Sequence, residues 1–287
     1  MLVCFFLALP CGHADTIYVS NLGNNTIEKF TSSGVGSVFA NGFSGSDGPE
    51  GLAFDNGGNL YVANLGNNTI EKFGTNGVGS VFASSGLNEP EGLAIDSNGN
   101  LYVGNLGSDT IERFGTNGVG TVFANQIHAL CLAVDQSGNV YAGNPENETV
   151  EEYGTNGVVS VFVGPNSGLG GPDGMAFDSS GNLYVANYDR GNIQRFGTNG
   201  VGSVFASGLG EVGGLAFDSK GNLYVADQVA NTIEEFGTNG VGSVFASTGL
   251  DGPTFLAVEV PEPASWIMVA LGLGALLCGW RLRRRSP

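Results

Sequence analysis

One unit of about 40 residues is written six times in this chain, and its period restricts the fold more than any other feature. The copy from Gly214 to Ala246 reads GLAFDSKGNLYVADQVANTIEEFGTNGVGSVFA. It contains four short apolar runs, each of about five residues, rich in aromatic and β-branched side chains and bounded by turn chemistry. Asp218-Ser219-Lys220-Gly221-Asn222 joins the first pair of runs, and Gly237-Thr238-Asn239-Gly240 joins the last pair. None of the runs is long enough for an ordinary helix. The unit therefore predicts a four-stranded antiparallel meander.

The tyrosine of the second run recurs at Tyr18, Tyr61, Tyr102, Tyr141, Tyr184 and Tyr224, at spacings of 43, 41, 39, 43 and 40 residues. Four strands per repeat at this period predict an all-β propeller, here with six blades. The first copy starts at its second strand, Ile17 to Asn21, and the last ends on a lone first strand, Phe255 to Val260. Pairing the two completes one blade, closes the ring and removes two open sheet edges.

The pattern GLAFD-x-x-GNLYVAN-x-x-x-NTIEKFGTNG resembles the NHL repeat, over roughly residues 15–260. That resemblance implies a six-bladed ring acting mainly as a binding platform, with some relatives being enzymes. Domain boundaries follow as 1–14, 15–260 and 261–287. Glycine, 49 of 287 residues, falls in recurrent turns and strand starts, and with 41% hydrophobic residues this excludes collagen-like and disordered chains.

The net charge is −17, and residues 15–260 alone carry 26 acids against six bases, a net −20. Such a surface repels phosphate backbones, so nucleic acid is not an expected partner. Its first consequence is solubility, and its second is attraction of cations. Of four cysteines, Cys4, Cys11 and Cys278 lie in segments that read as removable, which leaves Cys131 alone on a core strand with no disulfide framework.

Both ends carry targeting chemistry. Met1 to Leu9 is apolar, and Gly12-His13-Ala14 supplies small residues for cleavage, so 1–14 reads as a secretory signal. At the other end Pro261-Glu262-Pro263 precedes an apolar run from Trp266 to Trp280, followed by Arg281, Arg283, Arg284 and Arg285. Fifteen residues make about 22 Å of helix, short for a ~30 Å hydrocarbon core, although terminal Trp and snorkelling Arg extend its reach. The Arg cluster predicts a cytoplasmic C-terminus with the propeller outside. These three parts in this order resemble the PEP-CTERM sorting signal. The resemblance implies recognition by an exosortase in the bacterial envelope, transient anchoring in the inner membrane, and delivery to the cell surface or extracellular matrix.

Catalytic residue types are sparse. His13 lies in the leader, so a Ser-His-Asp triad would have to use His128. The Asp96 and Asp178 turns look like the opening of an EF-hand loop but lack its distal Glu and its helices, and read as Asx turns. The Asn after each second strand (Asn21, Asn64, Asn105, Asn144 and Asn187, with Asp227 in the last copy) reads as a loop fastener, or else as a polar ring for sugar.

One constellation stands out. Glu50-Gly51, Glu91-Gly92 and Asp173-Gly174 each put an acid just before a first strand, where Leu130, Gly213 and Thr254 stand in the other copies. First strands line the channel of a propeller, so these acids should meet at one mouth, where three carboxylates would suit Ca2+ or raise one another's pKa. The placement is similar to that of the SMP-30/gluconolactonase family, which implies a divalent metal at Glu50, Glu91 and Asp173 and a metal-dependent hydrolase. The Asn ligands and general base of that family have no counterpart here. The chain also resembles streptogramin-lyase-like propellers, which usually carry Trp in place of these tyrosines and are expected to have seven blades. Two readings therefore stand: a surface-delivered module binding protein or polysaccharide, and a hydrolase using the channel acids.

Overall fold

The computed structural model describes residues 15–43 and 48–260. The leader, the Pro261-Glu262-Pro263 motif, the apolar run and the Arg cluster lie outside the described residues. Among those described, no helix is long and apolar enough to cross a membrane.

Six four-stranded antiparallel sheets are formed. Blade six shows the pattern: Val212–Phe217 innermost, then Leu223–Asp227, Thr232–Phe236 and Gly242–Ala246. The innermost strands touch their neighbours all the way round, which makes the array a closed ring. Closure is made in blade one, where Pro253–Glu259 pairs with Thr16–Asn21. Val19 faces Leu256 across that seam, and Tyr18 donates to Glu259 at 2.9 Å.

Burial follows from where a strand sits in its blade. The second strand is buried throughout in five blades and from Ile17 onward in blade one, because its sheet is covered on both faces by neighbouring blades. The third strand buries its Ile and Phe, and the outer strand exposes its Gly, Ser and Val. The core consists of six apolar clusters; one of them unites Ile17, Val19 and Phe30 of blade one with Tyr224, Ala226 and Ile233 of blade six. In each blade the second-strand tyrosine meets an outer-strand phenylalanine edge to face, as Tyr61 meets Phe82 at 5.0 Å. Such pairs contribute ~0.5–1.5 kcal/mol beyond their burial.

The repeated aspartates are turn locks. Asp96 Oδ1 accepts from the backbone N–H groups of Asn98 and Asn100 at 2.9 Å, and Oδ2 accepts from the Asn100 side chain at 2.7 Å. Asp178 repeats this with Ser180 and Asn182. Their carboxylates are thus committed to turns. The Asn or Asp after the second strand is buried, and in blades one, three, five and six it fastens the loop arriving from the previous blade, whereas Asn64 donates to Glu71 and Asn144 accepts from its own loop. Asn105 Nδ2 donates to the Gly86 carbonyl at 3.2 Å, and its Oδ1 accepts from Asn88 N–H. Buried amides of this kind present no ring to a sugar.

Candidate functional site

The acid-glycine pairs divide into two roles. A Cβ on Gly51 would collide with the Glu91 carbonyl, and one on Gly174 with the Gly213 carbonyl. At these two places the glycine is therefore required by the approach of the neighbouring inner strand, although Cys131 and Phe255 stand at the equivalent position in blades four and one. The acid is not, since Leu130, Gly213 and Thr254 occupy the same position elsewhere. The ladder is also irregular there: register shifts fall between Pro49 and Leu52, Pro90 and Leu93, and Pro172 and Gly174. A bulge at the end of a strand frees its side chain from the pleat and re-aims it.

The re-aimed side chains open onto one space. Glu50, Glu91 and Asp173 line one pocket of about 360 Å³ at the channel mouth. Its walls include Leu22, Leu130, Pro145 and Phe255, and its far side carries Tyr188, Asp189 and Gln228. Tyr188 and Asp189 start a one-turn 3-10 helix, Tyr188–Arg190, whose backbone is tied down by Tyr188 N–H to the Gly171 carbonyl at 2.9 Å. The Tyr188 hydroxyl donates to Glu211 at 2.6 Å, which fixes the ring at the mouth.

The electrostatics are those of crowded, dehydrated acids. Glu91 is 9% exposed, and burial pushes its pKa well above the usual carboxylate range, with Glu50, Asp173 and Glu89 adding repulsion. Asp173 is partly open to the pocket yet enclosed by protein; burial and then Asp189 push its pKa up to about 7. A second cavity, of about 300 Å³, lies against the Asp178 and Asp218 turns and holds bases, Arg195 and Lys220, along with its acids. Among the described residues, no Lys, Arg or His lines the mouth pocket.

Among the described residues no three His, Cys, Asp or Glu side chains converge closely enough to hold a metal ion. The three carboxylates therefore share a pocket without forming a ready-made Ca2+ cage, which needs six to eight oxygens at about 2.3–2.6 Å.

His128 belongs to another place. Its Nδ1 lies 3.0 Å from Asp109 Oδ1, beside a polar pocket with Ser108, Thr110 and Asn144. Ser108 Oγ pairs with Thr110 Oγ1 at 3.0 Å, and no serine hydroxyl is bonded to the imidazole among the described residues, so no triad is assembled. Cys131 is buried, and burial pushes its thiol pKa far up, as befits an inert core thiol.

Sequence reasoning did not pick out Tyr188, Asp189 or Gln228 as partners of the three acids. A signal was present: the position after the second-strand Asn or Asp is Leu22, Leu65 and Leu106 in the first three blades but Pro145, Tyr188 and Gln228 in the rest.

Fold and ends together define a propeller with a sorting signal. Residues 47–73 match the NHL repeat, and residues 259–285 match the PEP-CTERM protein-sorting motif. The second match implies export, sorting to the cell surface and processing by exosortase. Among solved structures, the chain is similar to one from a nidogen/laminin complex, at 18% identity and TM-score 0.76, covering 85% of this chain and 98% of that one. It is also similar to virginiamycin B lyase from Staphylococcus aureus, at 13% identity and TM-score 0.65 with 81% of each chain covered. A streptogramin B lyase structure gives 14% identity and TM-score 0.67, over 87% of this chain and 88% of that one. At these identities the likeness is one of fold. No curated protein matches the chain by sequence.

Proposed function

We propose that this protein is a binding module of the cell surface, and that its ligand, a protein or polysaccharide of the envelope or extracellular matrix, engages the channel mouth. One observation carries the reading: equivalent positions at the start of the inner strands carry unlike side chains, Glu50, Glu91, Leu130, Asp173, Gly213 and Thr254. Repeats are kept alike by packing, so divergence gathered around one concavity is what a ligand site leaves behind. Tyr188, Gln228 and the asymmetric set of acids are such departures. Before processing at the Pro261-Glu262-Pro263 motif, the run from Trp266 to Trp280 holds the chain in the inner membrane, with Arg281, Arg283, Arg284 and Arg285 on the cytoplasmic side.

The test is capture of envelope polysaccharides and proteins on the immobilised full-length chain, beside Tyr188→Ala. Capture that is lost in the variant, with an unchanged circular dichroism spectrum, supports the reading. Capture that is unaffected moves the ligand away from the mouth.

A second reading, a metal-dependent hydrolase of the SMP-30 type, is supported by the shared pocket of Glu50, Glu91 and Asp173. Calcium titration followed by a lactone screen tests it. Absence of calcium binding at millimolar concentration would remove it.

A further inference from the structure

We propose that the channel mouth accepts an alkylammonium group, carried either by a free amine or by the lysine side chain of a partner protein. This rests on the mouth being the ligand site proposed above, and it names the chemistry that the site takes.

Glu91 provides the first argument. It is nine-tenths buried and points into the pocket, and among the described residues it makes no hydrogen bond or ion pair. A buried carboxylate is ordinarily either paired or held protonated, because isolating its charge from water costs several kcal/mol, and an arriving ammonium would displace the proton that burial favours on Glu91. This chain pairs its acids elsewhere: Asp55 has Lys72 at 3.3 Å. Among the described residues that line the mouth, none is a cation placed to pair with Glu91.

The walls decide what kind of cation fits. Leu22, Leu130, Pro145 and Phe255 add apolar wall to the same pocket as the acids. A divalent ion would have to exchange its water for a dense oxygen shell, which the spread carboxylates do not offer. An ammonium on an alkyl chain uses both features: the charge meets Glu50, Glu91 and Asp173, and the methylenes lie on the apolar wall, as a lysine stem lies on apolar surface. A pocket of about 360 Å³ is of small-ligand size, with room for several carbons. The net −20 of residues 15–260 concentrates cations around the ring and speeds their arrival.

Calorimetry on the full-length chain in detergent tests the proposal, with pentylamine, N-acetyl-lysine amide, pentanol and calcium chloride as probes. Both amines should bind, pentanol should not, and amine affinity should fall with added salt. Affinity should also fall at least tenfold in Glu91→Gln. Glu50→Gln is the second variant, so that a folding defect in one leaves the other to decide. Tighter binding of the lysine amide than of pentylamine assigns the group to a protein partner, and the reverse assigns it to a free amine. Pentanol binding as well as pentylamine, calcium heat without amine heat, or amine affinity unchanged in both variants overturns the proposal. If Tyr188→Ala abolishes capture of envelope ligand while amines give no heat, the mouth stays the ligand site and only its ammonium chemistry falls. Failure of both removes the binding reading too.

Discussion

Cys131 faces Gly143 across blade four, whereas blade five sets Gly174 against Ala186. The two blades make the same exchange of volume in opposite directions. A Cβ on Gly143 would meet Cys131 Sγ at 2.5 Å, and the thiol reaches on to the Pro172 carbonyl at 3.5 Å. Gly143→Ala should therefore destabilise the protein by ~1–3 kcal/mol through overpacking. Adding Cys131→Gly recreates the blade-five pair and should recover much of that loss. A double-mutant cycle by chemical denaturation reads the coupling; additive losses would show that the two positions are independent.

Glu112 lies beside Gly86 in blade three, where blade five puts Gln194 beside Gly168. Gln194 Nε2 donates to the Gly168 carbonyl at 3.0 Å, which an ionised Glu cannot do. Glu112 is buried, and burial raises its pKa. Glu112→Gln should stabilise by about 1 kcal/mol at neutral pH, the net worth of a hydrogen bond. The native Glu112 binds a proton more readily folded than unfolded, so wild-type stability from this group falls as pH rises through its raised pKa. The advantage of Gln should thus vanish in acid, which melting curves at two pH values would reveal.

Tyr61 in blade two has Lys72 at 2.7 Å, with Asp55 beyond it. Blade four places Glu152 and Asp135 around Tyr141 instead, and burial followed by these two acids raises the Tyr141 pKa. Glu152→Lys should install the blade-two arrangement and stabilise by ~0.5 kcal/mol, a value discounted for solvent exposure and falling with salt. Ultraviolet titration should show Tyr141 ionising at lower pH than in the wild type. An unchanged tyrosine titration would refute the equivalence of the two blades.

Asp173 sets a pH dependence of the whole ring. Its folded pKa, about 7, lies above the ordinary 3.8, so the folded state holds the extra proton between those values. Stability from this group is therefore highest in acid and is lost as pH rises from 3.8 to about 7. Asp173→Asn should flatten the decline of melting temperature across that window. Equal slopes in the two proteins would place the charge burden elsewhere, at Glu91 first.

Much of this was legible in advance. Tyr18 through Tyr224 counted the blades, and Phe255 announced the missing strand of the first blade before any pairing was seen. Glu50, Glu91 and Asp173 could be placed at one mouth because repeats put equivalent residues at equivalent heights. The 3-10 turn Tyr188–Arg190 escaped because a three-residue helix has no periodicity to detect. The apolar wall escaped because Leu22, Pro145 and Phe255 read as ordinary loop and core residues until the ring is closed.

The order of strands, their number and the phase of closure were thus determined by the sequence alone, since each blade is a local meander whose turns and alternation lie within about 40 residues. Only the tertiary structure decided which side chains face one another across the channel and the seam. Tyr18 and Glu259 stand 241 residues apart and share a hydrogen bond. Glu91, Asp173 and Tyr188 come from blades three and five and share a pocket. Such meetings depend on ring radius, strand-end bulges and the absence of a Cβ at Gly51 and Gly174, and none of these leaves a periodic trace in the chain.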